Sequence, residues 1–274
     1  ALLQNNHSIF MLGSYAESFH IKDNKILALK TRDQVIVADH FILSTGGKSF
    51  PSTGSDGSGY KLAKQCGHRI TKLVGVEVAL LTPNTQELMG ISLTTRVQAL
   101  VDKKVRFDET GDFLYTHFGL SGPVILKASE SVVEALENKK DVVVRVHLGD
   151  PSLEQGSLKK ELSAYVPKRM VDHLLKEWRE IAHLEQVSNA EKDTIRNTLF
   201  TLDYPITGTL PIEKAFVTKG GIPTNEVNPK TMQSKLIDNL SICGEILDVH
   251  GMLGGFNITL ALSSGYTAGT KIDS

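Results

Sequence analysis

Two glycine-rich stretches, each placed directly after a short apolar run, constrain the fold of this chain more than any other feature. The first is Thr45-Gly46-Gly47, which follows the strand-like run "HFILS". The second, "CGEILDVHGMLGGFNITLALSSGYTAG" (243–269), carries six glycines and ends in a small, apolar run that predicts a helix. Because glycine lets the backbone turn tightly and approach a ligand closely, both ends of the chain indicate strand–turn–helix units of an α/β fold.

The rest of the sequence predicts further strands and a helical insertion. Alternating runs predict an antiparallel meander with strands at Ser8–Tyr15, Ser18–Ile21, Lys25–Thr31, Gln34–Ala38 and His40–Ser44. Helical spacing follows at 60–68 and 123–138, and "RVQALVDKKVRFDETGDFLYT" predicts a hairpin. Apolar spacing is again helical from 151 to 200, where Ser188 and Glu191 match a capping box. The pattern therefore predicts three parts: 1–75 with 217–274, 76–154 with 204–216, and 155–203.

Composition narrows the classes of protein and partner. Apolar residues make up 41% of the 274 residues and charged residues 22%, which is typical of a globular protein. With a formal net charge of −1 and no apolar run of ~18 residues, we expect no nucleic-acid partner and no membrane partner. Cys66 and Cys243 match neither a disulfide framework nor a metal motif, which predicts buried thiols and a reducing, cytoplasmic location.

The glycines before the last predicted helix have two interpretations. Bare backbone at a helix start exposes N–H groups and the positive end of the helix dipole, which suit an anion or a polar ring. Asn257 is expected to cap a helix through 258–269, while Glu245 and Asp248 follow a predicted strand, where ligands bind in open α/β sheets. An ordinary turn between a strand and a helix has the same spacing, so both interpretations stay open.

Other catalytic patterns are weak in this sequence. "GSGYKLA" (57–63) matches a shortened dinucleotide fingerprint, but a reductase using only nicotinamide needs a strand directly before Gly57, which the pattern does not predict. No G-x-S-x-G elbow and no P-loop occur. His117 has no partner at metal-ligand spacing, so no metal site is predicted. The catalytic residues stay unassigned, and Lys48 and His117 are the first candidates for mutation.

Four motifs, spread in order over 42–269, resemble those of one family. They are "ILSTGGKSFPSTGSDGSGYKLAKQCGHRI", "FLYTHFGLSGPVIL", "AFVTKGGIPTNEVNPKTMQSKL" and "CGEILDVHGMLGGFN". In this order they resemble the signatures of the BaiN-like family of NAD(P)/FAD-dependent flavoproteins, which includes aminoacetone oxidase-type enzymes. The resemblance therefore covers nearly the whole chain.

This resemblance implies a fold, cofactors and contacts. The fold is mixed α/β, with a Rossmann-like FAD-binding module (1–75 and 217–274) interrupted by a β-barrel-like domain and a small helical domain. The resemblance implies FAD as the cofactor. It also implies NAD(P) as the electron partner and a small molecule as the substrate. The flavin is expected to lie against Thr45, Gly46 and Gly47. Its ribityl–pyrophosphate side is expected to contact Gly244, Glu245 and Asp248. Its ring is expected to contact the residues at the start of the last helix, which are Gly254, Gly255, Asn257, Ile258 and Thr259.

The sequence also departs from the family pattern. The N-terminal strand–GxGxxG–helix unit, which holds the ADP half of FAD in the family, is missing from it. His250 and Met252-Leu253 also replace residues that are usual near the ring. The resemblance thus implies a fragment or a shortened relative with an incomplete FAD-binding domain, for which loss of FAD is one expected outcome. The sequence predicts a flavin-dependent oxidoreductase acting on a small organic substrate by hydride transfer, or else a catalytically silent remnant that serves as a binding or structural module.

Overall fold

The computed structural model describes residues 8–149, 158–176 and 188–272. Its helices and strands, in chain order, are β1 (Ala16–Lys22), β2 (Lys25–Thr31), β3 (Val35–Ile36), β4 (Phe41–Leu43), α1 (Ser58–Gln65), β5 (Val74–Val76), β6 (Leu80–Leu81), β7 (Ser92–Val101), β8 (Lys104–Tyr115), β9 (Gly119–Ser121), α2 (Pro123–Glu137), β10 (Val142–His147), α3 (Leu158–Tyr165), α4 (Lys168–Leu174), α5 (Asn189–Leu199), β11 (Thr201–Pro205), β12 (Gly208–Thr209), β13 (Val217–Lys219), β14 (Leu240–Ile242) and α6 (Phe256–Thr270). The predicted mixed α/β class is confirmed.

The chain divides into two compact units. The first contains the described residues up to Leu73, Lys219–Gly251 and those from Gly255 onward. The second contains the described residues from Val74 to Thr218, together with Met252–Gly254. Helices α3 to α5 belong to this second unit, and a separate helical domain at 155–203 stays a prediction.

An antiparallel sheet of three strands, in the order β1-β2-β3, opens the first unit. Strand β2 has the predicted bounds, and its alternation turns Ile26 and Ala28 inward while Leu27 is 41% exposed. The strand predicted at Ser8–Tyr15 is wrong, because no strand lies between Ser8 and Tyr15. Gly13 turns the chain there with a φ of +72°, and Ile9 stays 88% exposed, so this run has no buried face.

A parallel pair, β4 and β14, lies at the centre of the first unit's core. Phe41 pairs with Leu240 and Leu43 with Ile242, although almost 200 residues separate the two strands. Side chains of α1 and of the loop after β14 complete the buried cluster, which includes Tyr60, Leu62, Ala63, Ile237, Ile242 and Ile246. The first and last parts of the chain therefore fold together.

The second unit is built on a seven-stranded sheet in the order β11-β10-β7-β8-β9-β6-β12. Its centre is the long hairpin β7–β8, which confirms the hairpin predicted from sequence. The two edge strands, β11 and β12, are separated by only two residues of chain, but no ladder between them is recorded in the described residues. A closed, barrel-like arrangement therefore stays a prediction.

Helix α2 covers this sheet with one apolar face. Pro123 occupies its first turn, where a missing N–H costs no hydrogen bond. Val124, Ile125 and Ala128 are buried at helical spacing and join the core of Phe113 and Tyr115. Nearer the end of the unit, the predicted capping box is confirmed, since the backbone N–H of Ser188 donates to Glu191 Oε2 at 2.8 Å. In the described ranges no helix is long and apolar enough to cross a bilayer.

Candidate functional site

The candidate site lies where the parallel strands β4 and β14 end side by side. Beyond their last paired residues, the N–H of Cys243 donates to the carbonyl of Leu43 at 3.2 Å. Two loops start at this point, one at Thr45–Gly47 and one at Gly244–Asp248. The carboxyl ends of parallel strands are where open α/β sheets bind ligands. The two strand-end motifs of the sequence are therefore neighbours in space.

A direct contact joins these two loops. The backbone N–H of Gly47 donates to Glu245 Oε2 at 3.3 Å. Asp248 is held from the other side, because its Oδ2 accepts a 2.8 Å hydrogen bond from the Thr71 hydroxyl. Both carboxylates are half-buried and lie at the strand ends, as predicted, and they suit a ligand that carries hydrogen-bond donors.

Two glycines allow these loops to turn. Gly46 has a φ of +71°, and a Cβ there would lie 2.6 Å from the hydroxyl oxygen of Ser55. Gly244 has a φ of +80°, and its N–H donates to the hydroxyl of Ser264 in α6 at 3.0 Å. A side chain at either position would strain the backbone, so the predicted need for glycine has a local structural cause.

Helix α1 packs directly against the first loop. A Cβ on Gly59 would overlap the hydroxyl oxygen of Thr45 and lie 3.1 Å from Cδ1 of Ile246. This glycine in "GSGYKLA" therefore serves close packing between a helix and a loop. A 3-10 turn at Pro51–Thr53, and no strand, precedes Gly57 in the described segment 44–57, so the nicotinamide-only alternative lacks the strand that it requires.

Two buried hydroxyls at this junction have no hydrogen-bond partner. They are Oγ1 of Thr45 and the phenol of Tyr60, a residue only 5% exposed. Burial, and then the carboxylates of Glu245 and Asp248, hold the pKa of Tyr60 well above its ordinary value. Sequence reasoning singled out Thr45 but missed Tyr60. Unpaired hydroxyls on the first loop and on the helix packed against it, together with the carboxylates of the second loop, suit a polar cofactor such as a flavin with its ribityl chain.

The start of α6 differs from the prediction. The helix begins at Phe256, its N-cap is Gly255 with a φ of +90°, and no side chain caps it, so the expected cap by Asn257 is wrong. Asn257 instead holds the preceding loop, because its Oδ1 accepts from the N–H of Gly251 at 2.8 Å and its Nδ2 donates to the Gly251 carbonyl at 3.0 Å. The Asn257 side chain can reach Gly251 because the turn at Gly255 folds the preceding loop over the start of the helix.

The other residues predicted to hold the ring lie at this helix start. Gly254, Gly255, Ile258 and Thr259 are all exposed, Ile258 to 69%. The Thr259 hydroxyl donates back to the carbonyl of Gly255 at 3.0 Å. These groups are accessible to a ligand. The structure joins Gly47 to Glu245, whereas contacts of residues 254–259 with a flavin ring stay a prediction.

The remaining candidates carry no evident chemistry. His117 is exposed in the second unit, with its ring at 4.9 Å from that of Phe118. Within residues 8–149, 158–176 and 188–272 no cluster of metal-ligating side chains occurs. Cys66 and Cys243 are buried free thiols, as predicted, and burial raises the pKa of Cys66 to about 11 and that of Cys243 as well. Protonated, buried thiols are poor nucleophiles.

Comparisons with known proteins agree with this architecture. A family model described as "HI0933-like protein Rossmann domain" matches residues 2–271. The chain is 32% identical to the 3-dehydro-bile acid delta(4,6)-reductase of Clostridium scindens, over 89% of this chain and 64% of the relative. It is 30% identical to the ribosomal RNA dihydrouridine synthase of Escherichia coli, over 89% of this chain and 63% of the relative. It is 31% identical to the enzyme of the same name from Haemophilus influenzae, over 85% of this chain and 60% of the relative. The chain thus spans less than two thirds of the length of these relatives.

Proposed function

The chain belongs to the HI0933-like family, a family of FAD-dependent oxidoreductases that includes the BaiN-like proteins, and from this premise we propose that it forms the larger part of a flavin-dependent reductase. The resemblance drawn from its motifs is thereby confirmed. One observation supports placing the flavin site at the ends of β4 and β14. It is the hydrogen bond between Gly47 and Glu245, which joins the two glycine loops there.

The chain's own residues supply binding and orientation at this site. The half-buried carboxylates of Glu245 and Asp248 accept hydrogen bonds from cofactor hydroxyls, and the glycines at 46 and 244 let the backbone approach closely. The unshielded N–H groups at the start of α6 favour negative charge on a nearby ring. A bound flavin supplies hydride chemistry, which no side chain can provide.

The names of the relatives favour one class of reaction. A 3-dehydro-bile acid delta(4,6)-reductase saturates double bonds conjugated to a ketone, and a dihydrouridine is a uridine with two added hydrogens beside a carbonyl. In both cases a carbon–carbon double bond next to a carbonyl gains a hydride and a proton. We therefore infer that this protein reduces an activated carbon–carbon double bond in a small organic substrate, with NAD(P)H as the source of electrons.

A second candidate substrate is uridine within RNA. Two of the relatives are named ribosomal RNA dihydrouridine synthases, at 30% and 31% identity. The net charge of −1 does not favour an RNA partner, because phosphate contacts dominate the affinity of RNA-binding proteins. The small-molecule substrate is therefore the first proposal, and the RNA substrate is the alternative that the experiment must separate.

The experiment uses the protein expressed from its complete reading frame. After incubation with FAD and desalting, the proposal expects flavin absorption near 450 nm, and expects Glu245→Ala to lose most of it while Glu109→Ala, on β8 of the second unit, retains it. The protein with reduced flavin is then mixed, in the absence of oxygen, with a steroid 4-en-3-one or with a uridine-containing RNA. The compound that restores the absorption of oxidised flavin is the substrate, because it has accepted the hydride. A protein that retains no flavin supports the silent remnant instead.

A further inference from the structure

A cavity of about 350 Å³ opens on the second unit, between the second half of α2 and the hairpin β7–β8. Its apolar part is formed by Val101 and Ala135, and its polar part includes Arg106, Glu134, Asn138 and Lys140. Small-molecule sites of this size combine apolar walls with a few polar groups in the same way. All of these residues belong to the second unit, and none of them belongs to the flavin site proposed above.

A β-bulge turns Arg106 toward this cavity. The register of the hairpin shifts between Ala99 and Leu100, which leaves Arg106 as an extra residue in β8. Regular alternation would place Arg106 on the face of Asp108, opposite to the face from which Glu109 forms an ion pair with α2. Arg106 instead lines the cavity beside α2. Bulges often redirect a side chain at a functional site, so this one calls for a ligand of the guanidinium.

Further cations surround the cavity. The N–H of Asp102 donates to the carbonyl of Asp141 at 3.0 Å, and this bond joins the β7–β8 turn to the turn after α2. The joined segments carry exposed cations that form no ion pair with any residue the structure describes: Lys103, Lys104, Arg106, Lys139 and Lys140. Among the described acidic residues of these segments, Glu134 lines the cavity, whereas Asp102, Glu137 and Asp141 do not. The cavity therefore favours a ligand with an anionic group.

Hydrogen-bond acceptors lie beside these cations. The carbonyl of Ala135 accepts the N–H of Lys140 at 3.0 Å, and the carbonyl of Glu134 accepts from Nδ2 of Asn138 at 2.8 Å, so these backbone acceptors of α2 are already paired. The same amide keeps its Oδ1 as an acceptor, next to the carboxylate of Glu134. A ligand with hydroxyl groups can donate to both of these oxygens.

This combination restricts the class of ligand. A cation is repelled by Arg106 and Lys140, and an apolar compound leaves every polar group of the cavity without a partner. A bare anion meets repulsion from Glu134 and leaves the acceptors unused. A phosphate joined to a sugar satisfies both sets of groups, because guanidinium and ammonium groups bind phosphate while carboxylate and amide oxygens accept from hydroxyls.

We propose that this cavity binds a ribonucleotide, free or within an RNA strand, whose phosphate is held by Arg106 and Lys140 and whose ribose hydroxyls donate to Glu134 and Asn138. This site goes beyond the proposed function and does not depend on it. The net charge of −1 belongs to the whole chain, whereas a phosphate experiences the local charge of the cavity.

The test measures nucleotide binding by calorimetry in the protein from its complete reading frame, with saturating FAD so that the flavin site is occupied. AMP is expected to bind about tenfold more tightly than 2′-deoxy-AMP, because the deoxy compound leaves an acceptor unpaired. Arg106→Ala should weaken both about tenfold, which corresponds to ~1.4 kcal/mol, and Glu134→Gln should reduce the preference for AMP. Arg32→Ala, at an exposed arginine of the first unit, is the matched control and should change neither affinity.

An oligoadenylate of about ten residues separates the two sources of the nucleotide. Tighter binding of the oligomer than of AMP, with an affinity that falls as salt is added, identifies RNA as the ligand, and the reverse order identifies a free nucleotide. A wild-type protein that binds neither overturns the inference, and so does binding that Arg106→Ala leaves unchanged. The ratio of the affinities for AMP and 2′-deoxy-AMP in Glu134→Gln tests the site even where Arg106→Ala lowers stability. An unaltered ratio overturns the inference without affecting the proposed function, which flavin retention tests separately.

Discussion

At the scale of single residues, His68 is a polar group outside the candidate site whose two ring nitrogens are both held by side chains. Its side chain is fully buried, with Nδ1 at 2.9 Å from Oε2 of Glu226 and Nε2 at 2.8 Å from the hydroxyl of Ser234. The Ser234 oxygen also accepts the N–H groups of Leu236 and Ile237, both at 3.0 Å. Ser234 therefore donates its proton to His68, and His68 donates from Nδ1 to Glu226. The geometry of a hydrolytic triad is present, but both lone pairs of the serine are occupied, so the network is structural.

Removing the imidazole should therefore destabilise the first unit. We expect His68→Ala to lower the free energy of unfolding by about 2–4 kcal/mol, because it creates a cavity and removes one hydrogen bond from each of two half-buried partners, Glu226 and Ser234. Urea unfolding followed by circular dichroism measures this change. His20→Ala, at an exposed position in β1, is the control and should change the free energy by less than ~0.5 kcal/mol. An equal effect of both variants would contradict the structural role of the network.

The same network predicts how stability depends on pH. Burial alone would raise the pKa of Glu226, but hydrogen bonds from Arg69 and His68 prevail and hold it below the ordinary 4.5. A carboxylate whose pKa is lowered by folding stabilises the protein above its unfolded pKa, and this contribution is lost as the pH falls. The wild type should therefore exceed Glu226→Gln in stability at neutral pH, with the difference shrinking below about pH 4.5. A difference that is independent of pH would contradict this assignment.

At the scale of elements, two helical glycines differ in the space around them, and substitution by alanine should therefore have opposite effects on stability. Gly59 lies at the contact between α1 and the Thr45 loop, whereas Gly265 has open space beside it. Gly59→Ala places a methyl group into the Thr45 side chain, and we expect a loss of about 1–3 kcal/mol. Gly265→Ala lies in α6 with nothing within 4 Å of the added carbon, so the higher helix propensity of alanine should stabilise by up to ~1 kcal/mol. Urea unfolding of both variants tests this, and a loss at both positions would contradict it.

Local periodicity explains which elements could be predicted. Strand β2, helix α2 and the Ser188–Glu191 capping box follow from patterns within a few residues of each other, and the structure confirms them. The start of α6 could not be predicted, because Asn257 fits a cap by residue type, yet it bonds to Gly251 only once the intervening turn has formed. At such a position, residue type alone does not decide between a cap and a loop contact.

At the scale of the whole molecule, the contacts that matter join residues far apart in sequence. His68 and Glu226 are 158 positions apart, and Gly47 and Glu245 are 198 apart. No period within one segment reveals such pairs, and for Gly47 and Glu245 it is the parallel pairing of β4 with β14 that brings the two loops together. The resemblance placed the strand-end residues in one site, whereas Tyr60 carries no local signal, because an aromatic residue on an apolar helix face looks like core.

The division into two units predicts where a bound flavin acts. The residues that join the two loops, Gly47 and Glu245, belong to the first unit, whereas the β7–β10 ladder belongs to the second. A ligand that binds only the folded state stabilises by about 2.7 kcal/mol at a hundred times its dissociation constant. Hydrogen exchange with and without FAD should therefore slow for amides of β4 and β14 and stay unchanged for those of β7 and β10. Glu245→Ala should abolish the slowing, because it removes the carboxylate that receives the cofactor. Slowing confined to the seven-stranded sheet would place the flavin in the second unit and contradict the proposed site.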